Sequence, residues 1–185
     1  MLEAFLVSTA TVAVAEMGDK TQLLAIVLAA RFRQPWAVVA GIFTATIMNH
    51  ALAALVGTLV AQHVPADMLR WLLAAGFFAT AVWALFPDKE EDGPATGGKW
   101  GAFLATTIAF FVVEMGDKTQ IATVALAARF EAPVAVTLGT TAGMMLANVP
   151  AVIFADRLLK VLPLKLLRLA AAGIFAALGV ATLLA

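Results

Sequence analysis

Apolar residues run along this chain in six long stretches, separated by short polar breaks. The stretches cover about residues 3–30, 36–61, 68–86, 100–128, 134–155 and 166–185. About 20 mostly apolar residues suffice to cross a bilayer as a helix, so each stretch predicts one transmembrane helix. The breaks at 31–35, 62–67 and 129–133 are short turns, and 156–165 is a basic connection. Pro35 is placed to open the second helix, where its missing N–H costs nothing. Only 87–99, acidic and rich in Gly and Pro, reads as a true linker.

The pattern repeats with an offset of 98 residues. Between 16–32 and 114–130, twelve of seventeen positions are identical, including the heptapeptide Glu-Met-Gly-Asp-Lys-Thr-Gln. Pro35 and Pro133, Gly41 and Gly139, and Leu69-Arg70 and Leu167-Arg168 keep the same register. Three spans per repeat is an odd number, so the second repeat must enter the membrane from the opposite side. The expected fold class is therefore an all-α integral membrane protein, with six transmembrane helices arranged as two inverted three-helix repeats. The first repeat is 1–86, the linker 87–99 and the second repeat 100–185. Arg31, Arg33, Lys89, Lys99, Arg157, Lys160, Lys165 and Arg168 fall on one face of the membrane, and only Arg70 and Arg129 on the other. The excess of basic residues marks the cytoplasmic side. Both termini are expected outside and the linker inside.

Composition agrees with a membrane protein and narrows the chemistry. The chain is 63% apolar and 13% charged, against roughly 25% charged in a soluble domain. Mean hydropathy is +0.97. A net charge of zero offers no electrostatic footprint for nucleic acid. With no Cys and two His, neither a thiolate site nor a Cys/His zinc site can form. The N-terminal run has no basic segment before it, so it is read as a retained helix, not a secretory signal.

Against this apolar background the two heptapeptides stand out. A charged side chain at the bilayer centre costs at least ~2.5–3.5 kcal/mol on insertion scales. The first stretch is longer than a bilayer core at about 1.5 Å per residue, so it should be tilted or broken. Gly18 is the expected break and Gly116 its mate. On a continuous helix, residues three and four apart share a face. Glu16, Asp19 and Lys20 would then form one stripe, and Glu114, Asp117 and Lys118 another. In that arrangement each Lys can partly neutralise its own Glu. Glu16, Asp19, Glu114 and Asp117, with Thr21, Gln22, Thr119 and Gln120 one step round, supply hard oxygen ligands of the kind Ca²⁺, Mg²⁺ or Mn²⁺ takes. Crowded, desolvated carboxyls also hold protons more readily. Salt bridges that only fix helix register are the plainer account of one such motif; two that meet at a repeat interface argue against it.

Other polar residues at membrane depth are Asn49, His50 and Asn148, with His50 and Asn148 in register across the repeat. They are read as hydrogen-bonding glue before ligands or relays. Gly139 and Gly143, and Gly41 with Ala45 and Asn49, mark close helix contacts. Met17 and Met115 flank the motifs. As packing filler they carry no chemistry; as thioether ligands they would favour Mn²⁺ over Ca²⁺.

The doubled Glu-x-Gly-Asp-Lys-Thr motif, in two three-helix halves, resembles the Gdt-type cation/proton antiporter family. The resemblance covers essentially the whole chain. It implies exchange of Mn²⁺ or Ca²⁺ for protons, with the metal as cargo at the midplane between the motifs and no resident cofactor. The motif is intact at Glu16, Gly18, Asp19, Lys20 and Thr21, and at Glu114, Gly116, Asp117, Lys118 and Thr119. The short linker and the missing N-terminal extension point to a bacterial member in the plasma membrane. Two other readings stand beside it. In an exporter of small organic solutes such as amino acids, Lys20 and Lys118 would hold a substrate carboxylate. In a non-transporting membrane protein the motifs would only pack. An enzyme is not expected: the sole Ser is Ser8 and no His-Glu-x-x-His occurs.

Overall fold

The computed structural model describes residues 1–86, 101–154 and 164–184. The linker at 87–99, and most of the basic connection at 156–165, lie outside the described residues. All described elements are helices: α1 (Leu2–Glu16), α2 (Lys20–Phe32), α3 (Pro35–His63), α4 (Ala66–Ala84), α5 (Gly101–Glu114), α6 (Lys118–Phe130), α7 (Pro133–Ile153) and α8 (Leu164–Leu184). By length and hydropathy, α3 and α7 are each able to cross a membrane. Pro35 and Pro133 occupy the first helical position of these two helices, as expected.

The first and fourth apolar stretches are each divided into two helices. Gly18 has φ +80° and Gly116 φ +78°, a left-handed conformation that costs a residue with a Cβ roughly 1–2 kcal/mol. The chain therefore leaves the helix after Glu16 and after Glu114 and re-enters it at Lys20 and Lys118. This corrects the single-stripe arrangement. Glu16 ends one helix and Lys20 begins another, so spacing along a continuous helix does not set their relation; the same holds for Glu114 and Lys118.

Packing follows the repeat. The helix α1 lies on α7, and its counterpart α5 lies on α3. A Cβ at Gly139 would stand 2.5 Å from the Phe5 carbonyl oxygen and 2.9 Å from Ser8 Cβ. One at Gly41 would stand 2.7 Å from both the Phe103 carbonyl oxygen and Thr106 Cβ. Phe5 and Phe103, and Ser8 and Thr106, are mates at the 98-residue offset. The small residues thus let backbones touch at two equivalent crossings, as small-residue motifs do in membranes. Further along, Gly143 meets Thr9, Val12 and Ala13, while Asn49 bonds to Phe111. In both pairs residue numbers rise together, so α1 and α7 run parallel, and so do α5 and α3. The helices α4 and α8 pair on one side, with Phe77 and its mate Phe175 both fully buried there.

Polarity is inverted relative to a water-soluble domain. Leu52, Leu55, Val56 and Leu59 of α3 are all exposed, and so are Phe103, Leu104 and Val112 of α5. Glu16, Glu114, Asn49, His50 and Asn148 are buried. Contiguous exposed apolar surface on this scale fits contact with lipid.

Candidate metal centre

The two helix breaks put the motifs in the protein interior. Glu16 and Glu114 are fully buried at the ends of α1 and α5, and Asp19 and Asp117 are at most 3% exposed beside the starts of α2 and α6. Each carboxylate thus lies where one short helix stops and the next begins. Half-helix ends of this kind present free backbone carbonyls and N–H groups to a buried site.

Both breaks are closed by the same side chain. The Gly18 N–H donates to Gln22 Oε1 at 2.9 Å, and the Gly116 N–H donates to Gln120 Oε1 at 2.7 Å. Gln22 also donates from Nε2 to the Ala147 carbonyl of α7, at 2.9 Å. The amide oxygens predicted as supporting ligands therefore cap the breaks. The threonines act on the carboxylates directly. Thr21 donates to Glu16 Oε2 at 2.6 Å, and Thr119 reaches Glu114 Oε2 at 3.3 Å and Asp117 Oδ2 at 3.4 Å.

The motifs meet. Oxygens of Glu16, Asp19 and Asp117, one from each carboxylate, all lie within 4.8 Å of one another. Three of the four predicted ligands thus form one buried cluster with contributions from both halves. Glu16 Oε1 has no hydrogen-bond partner among the described residues. Three hard oxygens at this spacing match the donor set of a divalent cation such as Mn²⁺ or Ca²⁺. Lys118, from the second motif, forms an ion pair through Nζ with Asp19 Oδ2 of the first at 2.9 Å. The side chain of Lys20 lies outside the described residues.

The remaining candidates divide. Asn49 donates to the Phe111 carbonyl of α5 at 3.1 Å, one turn before Glu114, which is the cross-helix glue expected of it. Asn148 donates within α7, to the Met144 carbonyl and to Met144 Sδ. The ring nitrogens of His50 have no hydrogen-bond partner among the described residues, so the glue expected there is not formed. Met115 is 61% exposed, whereas the motif carboxylates are buried. Met144, fully buried on α7, was not singled out by sequence reasoning. Its signal was available: it aligns at the 98-residue offset with buried Thr46, one turn before Asn148.

The family model of the divalent cation/proton antiporter GDT1 matches residues 4–92 and 102–185. A Vibrio cholerae protein named "Putative manganese exporter" is 46% identical over 183 residues, covering 98% of this chain and 91% of its own. A GDT1-like protein of Synechocystis is 32% identical over 168 residues, covering 80% of this chain and 79% of its own. No solved structure matches the chain. With both halves matched and the acidic motif intact in each, the chain belongs to the GDT1 family of divalent cation/proton antiporters.

Proposed function

We propose that this protein exchanges Mn²⁺ for protons across a bacterial inner membrane, with the cation held between the two motifs by Glu16, Asp19 and Asp117. Glu114 completes the set during the cycle. The observation that carries the reading is the buried three-carboxylate cluster drawn from both halves. Manganese is preferred over calcium because the Vibrio cholerae relative carries the name "Putative manganese exporter". An exporter of organic solutes would need the motif lysines to hold a substrate carboxylate, whereas Lys118 is ion-paired with Asp19.

The exchange follows from charge. Four carboxylates carry −4 and the two motif lysines +2, leaving −2 in a low-dielectric interior. Such a charge is too costly to leave bare. One divalent cation cancels it, and so do two protons on crowded carboxylates. The empty, unprotonated site does not reorient, so metal movement one way is tied to proton movement the other way.

The architecture is two inverted repeats, 1–86 and 100–185, with the metal near the membrane midplane, both termini outside and the linker inside. Support comes from the parallel packing of α1 with α7 and of α5 with α3. Helices α6 and α7 are joined by a two-residue turn, so α7 returns against the α5–α6 segment. A helix parallel to α7 then opposes α5, and the two halves run in opposite senses.

The test is metal-dependent thermal stabilisation of the purified protein, because a ligand stabilises the state it binds. Mn²⁺ should raise the unfolding temperature of the wild type and not that of Glu16→Gln. An equal response of both proteins would overturn the assignment.

A further inference from the structure

We propose that Lys118 is a tethered competitor of the transported cation: its ammonium holds Asp19 while the metal is away, and the incoming cation must displace it. The inference rests on the metal site proposed above and concerns how that site is regulated.

Asp19 belongs to two arrangements at once. It is one of the three carboxylates whose oxygens gather within 4.8 Å, and its Oδ2 forms an ion pair with Lys118 Nζ at 2.9 Å. Both side chains are at most 5% exposed, so water screens the pair little. A divalent cation bridging Glu16, Asp19 and Asp117 would meet the ammonium at close range on the same carboxylate, and like charges repel strongly where the dielectric is low. The two occupants are therefore alternatives.

The ammonium is well suited to this task. Lys118 is the first residue of α6, directly after the Gly116 break, so its chain springs from the second half. Asp19 sits beside the break in the first half. The ion pair thus ties the halves together when the metal is absent, and metal binding removes that tie. A lysine is a compact cation on a flexible four-carbon stem. It can neutralise one carboxylate and then swing to a neighbouring one, keeping its charge within the site, which a fixed backbone dipole cannot do. This ion pair is already counted in the −2 of the metal-free site, so protons still balance the remainder when the metal leaves.

Calorimetric titration of the purified full-length protein with MnCl₂ at fixed pH tests the idea. Lys118→Met removes the competitor, and its Kd should fall about tenfold, equivalent to about 1.4 kcal/mol. Lys118→Arg keeps the charge but grips a carboxylate with a planar fork, and its Kd should rise about tenfold. Opposite shifts in the two variants are what competition requires and what a purely structural role does not produce. An unchanged Kd in Lys118→Arg, or weaker binding in Lys118→Met, would overturn the proposal. If Lys118→Met does not fold because Asp19 is left bare, Lys118→Gln, which removes the charge and keeps a donor for Asp19, takes its place with the same expected fall in Kd. Should the wild type itself bind no Mn²⁺, the metal-site reading fails; if it binds and only these shifts are missing, the competitor role fails.

Discussion

Gln22 joins the two halves of the molecule to each other: its Nε2 donates to the Ala147 carbonyl of α7 at 2.9 Å. Its Oε1 meanwhile accepts the Gly18 N–H that the helix break leaves open. One amide therefore serves both the break and the repeat interface. Gln22→Leu would leave the part-buried Gly18 N–H unpaired, at about 1–3 kcal/mol, and would remove the bond that joins α2 to the Ala147 carbonyl. The expected outcome is a clear drop in unfolding temperature together with impaired metal transport. A variant with wild-type stability would show that the amide is replaceable.

The carboxylates should separate by position. Glu16→Gln, Asp19→Asn and Asp117→Asn each alter a member of the three-carboxylate cluster, and each should weaken Mn²⁺ binding at least about tenfold, or 1.4 kcal/mol. Glu114→Gln should bind metal more nearly as the wild type does and still fail to transport. Titration calorimetry paired with flux in proteoliposomes distinguishes the two behaviours. Normal flux in two or more of the four variants would end the idea of a shared site.

Close packing gives a symmetric prediction. Gly41→Val and Gly139→Val each push a side chain into a facing backbone carbonyl and a hydroxyl-bearing neighbour. Each should destabilise by about 1–3 kcal/mol, the usual cost of overpacking. Thermal unfolding in detergent would reveal it. Because the crossings are equivalent, a large effect at one site and none at the other would contradict the repeat.

The inverted arrangement can be read by labelling. Cysteines at Ala66, where α4 begins, and at Ala95, in the linker, should react with impermeant reagents from opposite sides of the membrane. The chain has no Cys of its own, so the background is clean. Both sites reacting from the periplasmic side would refute the inversion.

The charge balance of the proposed cycle is measurable. If one divalent cation replaces two protons, no net charge moves. Metal flux in proteoliposomes should then follow an imposed pH gradient and respond little to a potassium-diffusion potential. A large current at saturating metal would rule out this ratio.

Much of this was legible in the linear chain. The 98-residue offset, the doubled heptapeptide and the apolar stretches around it are local or periodic features, visible without coordinates. Burial of ionisable groups at both motifs was foreseeable too, since charge inside an apolar run is costly and is kept for a purpose. Gly18 and Gly116 could be named as breaks because only glycine adopts their φ cheaply. What spacing could not supply was the partner of each side chain. Sequence proximity assigns Lys118 to Glu114, four residues earlier; tertiary structure gives it Asp19, ninety-nine residues away in numbering and 2.9 Å away in space. In the same way Gln22 turns its oxygen to a backbone N–H and its nitrogen to α7, and Met115 is exposed while Met144 is buried. The reason is physical. Periodicity and hydropathy are properties of one segment, whereas an ion pair or a capped break is settled by which helices come together, and a helix that stops at a glycine no longer obeys the spacing rules that precede it.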